Sequence, residues 1–190
     1  MRVYLAGPEV FLPDALDVAA AKKRVCAAHG LEGVFPLDPP PMLPPGDRPY
    51  WMRIYLGNEG HIRSCDGLIA NLTPFRGPSA DAGTVFELGF MRALGRPVMG
   101  YSNVATDFLG RTRGFLGATA TRRTDGGWED ADAMGLEDFG LGDNLMIDGG
   151  IAAAGGAFER EDAPGDRWRD LAAFERCVVR LAQWSSASSA

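Results

Sequence analysis

Histidine is scarce in this chain. His29 and His61 are the only two, and neither has a partner at the spacing a metal site needs. Both read as surface positions on helices, so a histidine-based triad or a metal hydrolase finds no support, and no metal is expected. Cysteine is nearly as rare: Cys26, Cys65 and Cys177 are far apart, odd in number and outside any Cys-x-x-Cys spacing. They are expected to be reduced thiols of a cytoplasmic protein, neither a disulfide frame nor a zinc site. Basic charge is in deficit too, with 19 Lys and Arg against 25 Asp and Glu and a formal net charge of −6. A nucleic-acid polymer, whose backbone attracts clustered cations, is not an expected partner, whereas small molecules make no such demand. No apolar run approaches the length of a membrane span, and no leader is expected ahead of Val3. Gly7-Pro8 is not the glycine pattern of a dinucleotide site, and no Walker-type loop is present, so no cofactor is expected.

What remains is an ordinary globular composition in 190 residues, enough for one domain with a well-covered sheet. The domain is expected to span residues 1–184. Arg2 to Ala6 is a short apolar run that breaks at Gly7-Pro8, the mark of a strand ending in a tight loop. Pro13 to His29 reads as an amphipathic helix closed by Gly30, and Leu31 to Leu37 as a second strand. Asp38 to Gly46 holds five prolines and can be neither helix nor central strand. Such a stiff loop is either a wall of a site or a plain surface connection. Tyr50 to Ser64 has Trp51, Ile54, Tyr55, Asn58 and Ile62 at helical spacing. Asp66 to Leu72 is nearly all apolar, as a parallel strand covered on both faces would be. Arg96 to Tyr101 is a fourth strand. Alternating strands and helices predict an α/β open parallel sheet with helices on both faces, in a single domain. Residues 103–142 show little periodicity and read as an elaborated loop region, followed by a capped helix over about 143–154. Gly155 to Gly165 reads as a loop, Trp168 to Trp184 as an amphipathic helix, and residues 185–190 as a disordered tail.

The stretch Ser79 to Met91 carries the chemistry. Asp81 suits an N-cap, Gly83 and Thr84 fill a small first turn, and Gly95 with Pro97 ends the helix. Before Arg92, Glu87 is the only charge inside it. Its helical neighbours Gly83, Thr84, Phe90 and Met91 are small or apolar. An isolated carboxylate is costly to bury, so Glu87 is expected to face a cleft rather than the core; a structural Glu that caps amides or pairs with Arg is the plainer possibility. In an open α/β sheet, ligands sit outside the carboxyl ends of the strands. Gly7-Pro8, the loop from Thr73 to Asp81 and the start of this helix all belong to that rim. Two carboxylates working without a cofactor suit attack on an electrophilic sugar carbon: one forms a glycosyl ester while another group manages the leaving group's proton.

Four ordered motifs carry a family resemblance. Tyr4-Leu-Ala-Gly-Pro8 with Val10 and Phe11, Cys65-Asp-Gly-Leu-Ile-Ala-Asn-Leu72, Asp81-x-Gly-Thr-x-x-Glu-x-Gly89, and Asp143-Asn-Leu-Met146 together resemble the nucleoside 2-deoxyribosyltransferases. The resemblance implies a flavodoxin-like sheet and a ping-pong exchange of the base on a 2′-deoxyribonucleoside, with free nucleobases as second substrates. It implies Glu87 as the nucleophile on C1′, Asp81 as the residue that binds the base and moves its proton, and Tyr4 as the group that holds Glu87. Gly7, Val10 and Phe11 would shape the base pocket. Asn58 stands where some members carry an acid, and is the candidate for a substrate contact there. Asn144 and Met146 match positions that reach into a neighbouring subunit's site, which implies a homo-oligomer. Two other readings stay open. One is a nucleoside 5′-monophosphate N-glycosidase, with Ser79, Thr84 and Arg76 near the phosphate. The other is a nucleotide-binding module of the same fold without catalysis.

Overall fold

Five short runs, three of them largely apolar, lie edge to edge in one parallel sheet. The computed structural model describes residues 1–42 and 46–187. In chain order the elements are β1 (Arg2–Ala6), a 3₁₀ turn (Pro8–Phe11), α1 (Ala15–Ala28), β2 (Glu32–Val34), α2 (Tyr50–Ser64) and β3 (Gly67–Asn71). Then come α3 (Ala82–Ala93), β4 (Val98–Ser102), α4 (Phe108–Leu116), the paired β5 (Thr121–Arg122) and β6 (Trp128–Glu129), α5 (Leu145–Ala153), β7 (Phe158–Arg160) and α6 (Ala172–Ala187). The sheet order is β2-β1-β3-β4-β7 with every pairing parallel. This is the flavodoxin-like order, and its direction reverses between β1 and β3.

Alternation along the strands divides the interior in two. Val3 and Leu5 of β1, Ile69 of β3, and Met99 and Tyr101 of β4 pack against α1 and α6, where Phe174, Cys177, Val178 and Leu181 form the covering stripe. Tyr4, Ala6, Leu68, Ala70 and Val98 face the other way, against Ile62 of α2, Leu88 and Met91 of α3, and Ile147 and Ile151 of α5. Tyr4 and Leu5 are neighbours in sequence, yet they belong to different cores.

Helix α3 has the boundaries its residues dictate. Asp81 accepts a hydrogen bond from the Thr84 backbone N–H at 2.9 Å and caps the first turn. Gly95, with φ of +73°, takes the left-handed conformation that stops the far end. The helix over Tyr50–Ser64 also falls where the spacing predicts it.

Several expectations need correction. Residues 103–142, expected as an elaborated loop region, hold regular structure: Asp107 caps α4, and β5 and β6 form a small antiparallel ribbon. Residues 155–165 contain β7, the fifth strand of the sheet. Helix α6 begins at Ala172 rather than Trp168, because Asp170 accepts the Ala172 amide hydrogen. It continues through Ser185 to Ala187, so that part of the expected tail is helical; residues 188–190 lie outside the described residues. Of the stiff loop, residues 43–45 also lie outside them. His61 is not a surface residue: it is 3 % exposed, and its Nε2 meets the Asp38 carbonyl at 3.1 Å. His29 is partly exposed and sits 3.2 Å from Glu175.

One buried ion pair fixes the turn after β1. Glu9, fully buried, pairs through Oε1 with Lys22 of α1, and the same oxygen accepts from Asn71 at 2.8 Å and Tyr101 at 2.9 Å. The Lys22 ammonium lies 5.3 Å from the centre of the Tyr101 ring and 5.2 Å from that of Phe174. Removing one partner strands a charge in the core. Lys22→Met is therefore expected to destabilise the fold by about 3–5 kcal/mol, measured by urea unfolding. The double variant Glu9→Gln/Lys22→Met should recover a large part of that loss, because no uncompensated charge is left.

Candidate active site

Tyr4 points from β1 toward α3, and its hydroxyl donates to Glu87 Oε1 at 2.7 Å. Burial, together with the Glu87 charge, pushes the Tyr4 phenol far above its ordinary range, so it stays protonated and serves as a donor. The ring also stacks on His61, with centroids 6.5 Å apart. Glu87 has no cationic partner among the described residues. Burial raises its carboxyl from the ordinary 4.5 to about 7; the Tyr4 bond pulls it down and the Asp81 charge pushes it up.

Glu87 opens into a cavity of about 340 Å³ between two helices. From α2 come Tyr55, Asn58, Glu59 and Ile62, and from α3 come Gly83, Phe86, Glu87 and Phe90. The Tyr55 and Phe86 rings approach to 6.3 Å, and Phe86 and Phe90 to 6.2 Å. The result is an apolar, ring-lined slot with a few polar groups, the usual make-up of a small-molecule site. Glu59 was not singled out from sequence. Its Oε1 is held by Arg63 at 2.9 Å (Nε) and 2.7 Å (Nη2), and Arg63 lies over the Phe90 ring. The only sequence signal was the i, i+4 spacing of acid and base, which more often marks a solvated helix face.

The other predicted residues are distributed unevenly. Asn58 lines the same cavity as Glu87. Asp81 does not; its Oδ2 is engaged by the Thr84 N–H and, at 3.0 Å, by the Thr84 hydroxyl. Gly7 is required by space: a Cβ there would stand 2.0 Å from Glu9 Oε2 and 2.9 Å from the Asn71 Cβ. Val10, on the short turn over residues 8–11, is half-buried and packs against the α1 and α6 core. Phe11 remains 60 % exposed and stacks on Phe75, with centroids 5.5 Å apart and an interplanar angle of 10°. Arg76 covers the Phe75 ring at 4.5 Å, in a left-handed backbone conformation with φ of 56°.

Asn144 and Met146 are not brought to Glu87 within one chain. They border a separate cavity of about 490 Å³ on another side of α3, with Ser79, Val85 and Gly89. Asn144 caps α5 and donates to Glu137, while Met146 is 74 % exposed. Asp143, fully buried, holds the loop before α3 by accepting from the Ser79 hydroxyl and the Ala80 amide, with Arg111 3.2 Å away.

Thiol chemistry finds no footing here, since burial pushes Cys26 and Cys65 up to about 11 and Cys177 up to about 12. No group of three or more metal-ligating side chains occurs among the described residues. No described helix is long and apolar enough to cross a membrane.

The family model for nucleoside 2-deoxyribosyltransferase matches residues 3–146. An uncharacterized protein of Schizosaccharomyces pombe is 32 % identical over 187 residues, covering 90 % of this chain and 88 % of its own. Among solved structures, a 2-desoxiribosyltransferase from Leishmania mexicana superposes with a TM-score of 0.63 at 24 % identity, covering 96 % of this chain and 97 % of that one. A conserved protein from Enterococcus faecalis gives 0.53 at 18 % identity, covering 97 % and 98 %. At those identities the superpositions establish the fold.

The raised Glu87 value has a consequence for stability. Between about pH 4.5 and 7 the folded chain binds more proton at this group than the unfolded chain does. Stability therefore falls as pH rises through that window, by up to about 3 kcal/mol from this group. Glu87→Gln removes the dependence. The variant is expected to gain on the unmodified protein between pH 5 and pH 8 when chemical unfolding is compared at both values.

Proposed function

Because the chain belongs to the nucleoside 2-deoxyribosyltransferase family, we propose that it exchanges the base of a 2′-deoxyribonucleoside through a deoxyribosyl ester on Glu87. The observation that carries this reading is the Tyr4–Glu87 pair: a carboxylate with a neutral donor, no cation, and an opening beside it. In the first half-reaction a Glu87 oxygen forms a bond to C1′. The C1′–N bond breaks, and its electron pair leaves with the base. In the second, a nitrogen of the incoming base attacks C1′ from the opposite side. The ester bond breaks, and two inversions give net retention. The Tyr4 hydroxyl orients the attacking carboxylate and eases the charge returned to it on ester cleavage. We assign Asp81 to the base and its proton, through the oxygen not used in capping. The scheme uses side chains alone, without metal or cofactor.

We further propose that a second copy of the chain supplies Asn144 and Met146 to each site. Their place away from the Glu87 cavity, with Met146 74 % exposed, supports a contribution in trans. A homo-oligomer is thus part of the reading. So is a cytoplasmic setting, which suits three unpaired, buried thiols.

The decisive measurement is brief incubation with a 2′-fluoro-2′-deoxynucleoside followed by mass spectrometry. A sugar adduct on the peptide containing Glu87 is expected, and an adduct elsewhere, or none at high enzyme, would overturn the reading. Exchange between a deoxynucleoside and a different free base should be lost in Glu87→Ala. Since Glu87 attacks only when ionised, kcat/KM should rise with pH along a limb near 7. Tyr4→Phe removes the bond that favours the ionised form. It should move that limb to higher pH and lower the plateau by about 10- to 100-fold.

A further inference from the structure

Glu59 is the second acid of the nucleophile's cavity, and it stands on the opposite helix. Of the eight residues lining that space, Glu59 and Glu87 are the only charged ones; no Lys or Arg is among them. The Glu59 carboxylate is oriented rather than loose. Arg63 grips Oε1 through both Nε and Nη2, and its guanidinium is fixed in turn 4.9 Å from the centre of the Phe90 ring, itself a wall of the cavity. Oε2 takes no part in that pair and accepts no hydrogen bond from the described residues. The Glu59 side chain is 23 % exposed and lines the cavity, with Oε2 left as an acceptor to spare.

We propose that Glu59 sets the charge of the substrates the cavity accepts: its free oxygen takes a hydrogen bond from a sugar hydroxyl and turns away a 5′-phosphate. The inference rests on the transfer reading above and deepens it. With C1′ against Glu87, the rest of the sugar lies within the slot or at its mouth. A nucleoside brings hydroxyl donors there, which a carboxylate oxygen can accept. A 5′-monophosphate brings two negative charges and only acceptor oxygens at neutral pH. It would meet two carboxylates and no cation on the walls, with the Asn58 amide, the Tyr55 hydroxyl and the Gly83 backbone N–H as neutral donors. Like charges brought together in a partly dry slot are strongly disfavoured. The residue that discriminates is therefore Glu59, since Glu87 faces every substrate alike. Arg63 acts through it, engaging Oε1 and leaving Oε2 outside the pair.

The test compares kcat/KM for a deoxynucleoside and for its 5′-monophosphate in the unmodified protein, Glu59→Gln and Arg63→Gln. The unmodified protein should prefer the nucleoside. Glu59→Gln replaces an acceptor-only group with one that also donates. Nucleoside turnover should fall modestly while the monophosphate-to-nucleoside ratio rises about ten-fold or more, mainly through the KM of the monophosphate. Arg63→Gln leaves the Glu59 charge uncompensated and should move the ratio the other way. Opposite movements are not what a merely structural role would give. A ratio unmoved in both variants, with base exchange intact in the unmodified protein, overturns the role of Glu59 and leaves the transfer reading standing. Release of base from the monophosphate alone, with no exchange, overturns both.

Discussion

The hydrogen bond from Tyr4 to Glu87 sets the terms for the site. A carboxylate in a slot of aromatic rings is costly to ionise, and among the described residues one neutral hydroxyl offsets the cost directly. A stronger partner would have changed the chemistry. An arginine at the same place would hold the carboxylate firmly ionised and spend its lone pairs on the ion pair. With only a phenol, Glu87 keeps a basicity near neutrality, and a more basic oxygen is the better nucleophile once it is ionised. The phenol cannot itself become an anion in that setting, since burial holds it well above its ordinary range. In the proposed transfer, one bond thus aims Glu87, moderates it and leaves it free to react.

The opposite face of the sheet shows the other way to bury a carboxylate. Glu9 has Lys22, Asn71 and Tyr101 around one oxygen, and the ammonium is sandwiched against two rings. That arrangement anchors a turn and faces no opening. The two acids lie on opposite sides of strands only a few residues long, and the alternation of β1 assigns Tyr4 to one face and Leu5 to the other. The anchoring carboxylate and the cavity-facing one are told apart by their partners. Burial alone does not separate them.

Much of the scaffold was legible because its signals are local. Asp81 and Gly95 bound α3, the apolar run before Leu72 is β3, and the spacing of Trp51, Ile54 and Tyr55 is α2. β7 was hidden because its three residues carry only one apolar side chain. Glu159 within it is satisfied by Arg176 and Arg180, which lie 17 and 21 residues further along. α4 was hidden by its glycines, though Asp107 as its cap was there to be read. The site divides similarly. That Glu87 faces an opening follows from its helical neighbours. That Tyr4, 83 residues away, holds it does not follow from any spacing; it came from the family resemblance. Glu9 with Lys22 and Glu59 with Arg63 were missed for opposite reasons: one pair joins a turn to a distant helix, and the other looks like ordinary surface decoration.

A glycosyl ester in an exchange enzyme must outlast water long enough to meet the second base, so its surroundings have to be dry at that moment. The cavity walls suit this: Tyr55, Ile62, Phe86 and Phe90 offer water little to bind. Its mouth does not, for Tyr55 is 42 % and Phe86 55 % exposed in the single chain, with Trp51 beside them on α2 at 64 %. In the single chain these aromatic side chains leave the rim of the slot open. A second copy that brought Asn144 and Met146 to the site would also cover those rings, joining two requirements that are otherwise separate: completing the substrate contacts and excluding water. On the proposed reading, transfer and hydrolysis would differ by what covers the ester, with the same nucleophile and phenol partner.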